Sequence, residues 1–160
     1  MKYKTAFIGL LILIAAANTN ALEIQEKDFG LGILVGEPTG FSVKYWMDEK
    51  RAVDGALAWS FFGDDAFQLH GDYLIHDYKL NNSEQWPAYY GIGALLKFEK
   101  DEGRKHDGET IFGLRIPFGM TYLFEDDSPY EFFIEIVPVL ELAPNVDVSI
   151  NASLGLRFYF

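Results

Sequence analysis

Three residues in the stretch "HGDYLIH", His70, Asp72 and His76, are of the types that hold a metal ion or pass protons. They share one parity, so in an extended strand they project from one face. Positions six apart in a strand lie roughly 20 Å apart, so His70 and His76 cannot ligate the same ion. The plainer reading is that they belong to a polar pairing network, and no metal or cofactor site is expected.

Other stretches invite and then lose a chemical reading. "GEPTG" (Gly36 to Gly40) is rich in glycine, but no Lys-Ser/Thr pair and no helix follow it, so it does not cradle phosphate. It reads as a tight turn, with Pro38 fixing φ and Gly40 supplying a positive φ. "DEGRKHDGE" mixes acids and bases and reads first as a solvated loop; the alternative is that a divalent cation or a surface ligand meets residues Lys100 to Thr110 there. There is no Gly-x-Ser-x-Gly elbow, and no cysteine for thiolate or disulfide chemistry.

The elements that carry these residues show a period of two. Eight alternating stretches appear: Phe29–Gly36, Phe41–Asp48, Ala52–Phe61, Phe67–Tyr78, Tyr89–Glu99, Ile111–Phe124, Glu131–Leu142 and Val148–Phe160. Gly, Pro, Asn and Asp crowd the segments between them. In the last stretch one face reads Val148, Ile150, Ala152, Leu154, Leu156, Phe158 and Phe160, and the other Ser149, Asn151, Ser153, Gly155, Arg157 and Tyr159. Pro138 falls mid-strand, a place that central strands resist.

Ahead of the strands, "MKYKTAFIGLLILIAAANTNAL" has the charged, apolar, small-residue order of a secretory signal peptide, so residues 1–21 are expected to be removed and 22–160 to form one domain. The apolar run is too short for a membrane helix, which needs roughly 20 residues. The chain carries a formal net charge of −11, and loss of Lys2 and Lys4 makes it more acidic still, which disfavours nucleic acid as a partner.

Two architectures use such alternation. A soluble calyx turns the apolar face inward; an outer-membrane barrel turns it to lipid and fills its interior with the polar face. The second fits better. The polar face is studded with Gly30, Gly32, Gly91, Gly93, Gly113, Gly119 and Gly155, which suit the crowded interior of an eight-stranded barrel. The apolar face holds more large aromatics, among them Trp59, Tyr90, Phe98 and Phe158, than one small core takes.

The signal sequence, the eight strands and the terminal "LGLRFYF" resemble the small outer-membrane β-barrels of the OmpA-like and OmpX-like kind, over the whole chain after residue 21. "GILVGEPTGFSVKYW" is further similar to a group of uncharacterised bacterial barrels. The resemblance implies an all-β, up-and-down transmembrane barrel in the outer membrane, acting as a monomer. It also implies that Leu154, Leu156, Phe158 and Phe160 form the C-terminal signature read by the barrel-assembly machinery, and that lipid and lipopolysaccharide surround the wall. Both termini would then face the periplasm. No catalysis is expected; a lipid A-modifying enzyme, a narrow conductance pathway and a soluble periplasmic calyx are the alternatives.

The inward face also carries charge: Lys44, Asp54, His70, Asp72, Lys97, Arg115, Glu131, Glu135, Glu141 and Arg157. Burying unpaired charges is costly, so they are expected to pair across strands and plug the lumen. Counting from the turns suggests Arg157 with Glu135, Arg115 with Glu141, Lys97 with Asp72 or His70, and Lys44 with Asp54.

Overall fold

Alternating side chains force each strand to present two chemically different surfaces, and closing the sheet on itself gives each surface one environment. The computed structural model describes residues 28–60, 66–80, 85–99, 109–124 and 128–160. The signal-sequence expectation (1–21) and most of the 100–110 loop lie outside these residues.

The strands are β1 (Phe29–Glu37), β2 (Thr39–Trp46), β3 (Arg51–Ser60), β4 (Ala66–Asp77), β5 (Ala88–Glu99), β6 (Glu109–Arg115), β7 (Phe118–Leu123), β8 (Tyr130–Ala143) and β9 (Asp147–Tyr159). All pairs are antiparallel between neighbours, and β1 pairs with β9, which closes an up-and-down barrel. Among the described residues nine strands make a ring of eight, because β6 and β7 share one position between β5 and β8.

The sixth expected strand is therefore broken at Ile116-Pro117, and two prolines explain where. Within a strand a residue's N–H and C=O point to the same neighbour. The amide of Ile116 donates to Pro138 O at 3.0 Å, but Pro138 has no N–H to return the bond. On the other flank Gly91 N donates to Pro117 O at 2.9 Å, and again proline returns nothing. The register runs on unbroken, from Gly93↔Arg115 to Tyr90↔Phe118, so the strand loses bonds without losing its place. This also accounts for Pro138 in mid-strand: it faces the one point where the adjacent strand is already interrupted.

The turn between β1 and β2 holds a single intervening residue, Pro38. The left-handed glycine there is Gly36 (φ 139°), and not Gly40 as the sequence suggested. Thr39 Oγ1 accepts from Gly36 N (3.1 Å) and donates to Gly36 O (2.9 Å), which holds the backbone at the position only glycine adopts without strain.

Outward parity is apolar along the wall: Ile33, Phe41, Ile92 and Ile136 are each more than half exposed. Aromatic rings gather near both rims. At the end holding Asp28 and Phe160, the rings of Tyr130, Phe158 and Phe160 meet edge to face in series at 5.4 and 5.0 Å, and those of Trp86, Tyr122 and Phe124 meet at 4.6 and 4.7 Å. At the far end Phe41, Trp59, Phe67 and Phe98 form a chain across β2 to β5.

Candidate functional site: the barrel interior and its terminal vestibule

Inward parity delivers the charged residues to one narrow lumen. Arg157 on β9 and Lys44 on β2 are almost wholly buried, as is Arg115 on β6. Each is held by carboxylates from other strands, which is the arrangement a low-dielectric interior requires.

Arg157 is the hub. Its Nη1 donates to Glu131 Oε1 (2.7 Å), its Nη2 to Asp54 Oδ2 (2.8 Å) and its Nε to Ser42 Oγ (2.9 Å), and its guanidinium lies 3.9 Å over the Phe133 ring. One planar fork thus ties β9 to β8, β3 and β2. The expected partner, Glu135, is displaced by register. Counting from Glu141↔Asp147 beside a three-residue turn puts Glu131 opposite Arg157, while Glu135 faces Ser153.

Lys44 does lie opposite Asp54 in the ladder, yet its Nζ turns to Glu131 (3.0 Å to Oε2) and to His76 Nε2 (3.1 Å). Asp54 is bonded by Arg157 instead. Glu131 therefore serves two cations, and Tyr159 OH adds a third donor at 2.8 Å.

Arg115 was expected near Glu141 and is found reaching across β5 to Asp72, with Nε 3.0 Å from Oδ1, and to Glu135 at 3.5 Å. The route is open because Gly93, paired with both Arg115 and Asp72, has no side chain; a Cβ there would collide with the Asp72 carboxylate. Tyr89 OH donates to Glu135 Oε2 at 3.0 Å. Glu141 lies higher in the barrel, where Lys97 bridges it (3.6 Å) and Glu99 (2.5 Å), in place of the expected Asp72 or His70.

The histidines are kept apart. His76 packs between Trp46 and Tyr89 (ring centroids 4.3 and 5.2 Å) beside Lys44, whereas His70 meets Gln68 at 3.5 Å. Among the described residues no group of three His, Cys, Asp or Glu has the arrangement of a metal site. Ser42 and Glu99 complete the network as partners of Arg157 and Lys97. Inward parity marked Ser42, but its distant bond to Arg157 had no local signal.

Rings complete the filling. Phe133 lies where a Cβ on Gly155 would stand, Tyr89 does the same at Gly119, and Tyr159 at Gly30. Between Asp54, His70, Arg115 and Arg157 the remaining cavity measures about 10 Å³, the room of a single water.

Toward the terminal end the interior is closed by a lid, Trp46 Nε1 donating to Tyr159 OH at 3.1 Å. Beyond it opens a vestibule of about 550 Å³, walled by Trp46, Tyr78, Phe124, Tyr130 and Tyr159 and edged by Asp28, Asp48 and Glu49. Leu154, Leu156 and Phe158 lie on the outer face of β9 and Phe160 just beyond its end, all exposed.

The sequence matches no protein-family model and no curated protein. Its fold is that of the small outer-membrane β-barrels. The N-terminal β-barrel domain of Pseudomonas aeruginosa OprF superposes with a TM-score of 0.69 over 85% of this chain and 100% of that one, at 12% identity. Neisserial surface protein A (NspA) superposes with a TM-score of 0.53 over 84% of this chain and 95% of that one, at 16% identity.

Proposed function

We propose that this chain is an exported, monomeric barrel integral to the outer membrane, with a plugged polar lumen and a structural or surface-interaction role rather than a catalytic one. The observation that carries the reading is the inversion of its surfaces. Large apolar side chains such as Ile33, Phe41, Ile92 and Ile136 face outward, while Lys44, Arg115, Glu131 and Arg157 are sealed inside. In water that distribution would expose far more apolar area than a soluble monomer carries in one patch. In a bilayer it is the expected one, with aromatic rings at both interfaces and every strand edge paired.

The termini then face the periplasm, and the far-end loops, including Lys100 to Thr110, are the surface available to a ligand or to lipopolysaccharide. The outward residues Leu154, Leu156, Phe158 and Phe160 serve as the signature for the barrel-assembly machinery. The dense filling by Phe133, Tyr89 and Tyr159, with a cavity of about 10 Å³ between Asp54, His70, Arg115 and Arg157, supports a plug rather than a channel.

Fractionation and electrophoresis test the placement: the protein should sediment with outer membranes and migrate differently in a detergent gel before and after boiling. Release into the soluble fraction by osmotic shock would overturn it. In planar bilayers no porin-sized openings are expected, and frequent ones would refute the plug. Incubation with lipopolysaccharide should leave lipid A masses unchanged.

A further inference from the structure

The vestibule at the terminal end has no part in the proposed role, and the described residues that line it are aromatic, acidic or uncharged. We propose that it is a binding site for an alkylammonium group, a positively charged amine on an apolar stem, as carried by a polyamine or by a lysine side chain of a peptide.

Trp46 spends its indole N–H on Tyr159, and Tyr159 spends its hydroxyl hydrogen on Glu131, so both present ring surface to the cavity. Tyr78 donates its hydroxyl to Glu49 O at 2.8 Å and likewise shows its ring. Asp48 is occupied within its own turn, accepting from the amides of Lys50 and Arg51 and from Arg51 Nε. That leaves Asp28 and Glu49 as the acidic residues of the lining beside several aromatic side chains, and among the described residues no lysine or arginine lines it.

Aromatic faces and carboxylates attract the same kind of ligand. The ring quadrupole draws a cation to its face, and the stem of an alkylammonium covers the apolar wall that a hydrated metal ion leaves bare. The interior already uses this chemistry one layer down, where Lys44 Nζ stands 4.2 Å from the Trp46 ring centroid. At about 550 Å³ the space is of the size that takes a small molecule or one side chain.

The test uses the whole barrel in dodecyl maltoside, an uncharged detergent, with Trp59→Phe and Trp86→Phe leaving Trp46 as the fluorescent reporter. Spermidine and Nα-acetyl-lysine N-methylamide are titrated in separate arms at constant ionic strength, with MgCl2 as the purely ionic control. A saturable change in Trp46 emission with either amine supports the site, and the arm that responds more strongly identifies polyamine or peptide lysine as the source. Asp28→Asn with Glu49→Gln should weaken that binding at least about tenfold, as should Tyr78→Leu, which removes a ring and leaves the acids in place. Both variants lie outside the buried network, and boiling-dependent gel migration confirms that they fold. No saturable response to either amine overturns the proposal, as does a response that survives these substitutions or that MgCl2 reproduces.

Discussion

Glu131 and Arg157 stand directly opposite each other in the β8–β9 ladder, with Nη1 2.7 Å from Oε1 and both side chains buried. The pair closes the last hairpin and, through Asp54 and Lys44, links it to the second and third strands. Breaking a buried pair from one side leaves a charge without a partner, at a cost of about 3–5 kcal/mol. Arg157→Met should therefore lose stability on that scale in urea unfolding from lipid vesicles. Arg157→Lys should lose less, because it keeps the charge but cannot hold Ser42, Glu131 and Asp54 at once. Wild-type stability in Arg157→Met would contradict the hub role.

Phe133 occupies the space above Gly155, and that relationship has a direction. Gly155→Ala should destabilise by about 1–3 kcal/mol, since the ring must leave its place over the Arg157 guanidinium. Adding Phe133→Leu to Gly155→Ala should recover part of the loss. Additive effects in a double-mutant cycle would show that the two positions do not touch.

Tyr159 both receives the Trp46 indole bond and donates to Glu131. Tyr159→Phe leaves the indole N–H without its acceptor and takes one donor from Glu131 Oε2, which keeps Lys44 Nζ; the orphaned N–H costs about 1–3 kcal/mol. Trp46 emission, isolated as described above, should also shift. Unchanged stability together with unchanged emission would mean that the lid bond carries no weight.

Asp48 sits in the exposed turn between β2 and β3. Its carboxyl is held below the usual aspartate range by backbone hydrogen bonds from Lys50, then by the Arg51 side chain and the Arg51 amide. A depressed value means that the turn's stabilisation is present above the ordinary aspartate range and disappears as pH falls through the folded value. An NMR titration should find the Asp48 midpoint below 3.8, rising toward it in Arg51→Ala. A midpoint that ignores the substitution would remove Arg51 as a cause.

Much of this molecule is written in its alternation. The residues Val148, Ile150, Ala152 and Leu154 against Ser149, Asn151, Ser153 and Gly155 specify a strand with two unlike faces wherever they are read, because side-chain direction in a strand follows position parity. Eight such stretches joined by turns imply a closed sheet, and the small inward residues imply a narrow one. The inward location of Lys44, Arg115 and Arg157 followed from the same parity.

Which partner each charge meets did not follow. Register depends on turn length, and a hairpin that closes over three residues moved the partner of Arg157 from Glu135 to Glu131. Arg115 bypasses its ladder neighbours altogether, since Gly93 opens a path to Asp72 that appears only when β4, β5 and β6 curve into one wall. Pro117 and Pro138 were both visible in the chain, but only pairing set Pro138 against Ile116 and divided the strand there. The vestibule belongs to the same class, because Trp46, Tyr78, Tyr130 and Tyr159 come from different strands and their turns. Parity, the face each side chain takes, is local and was determined by sequence; the pairing of charges across the lumen is long-range, and only closure of the barrel decided it.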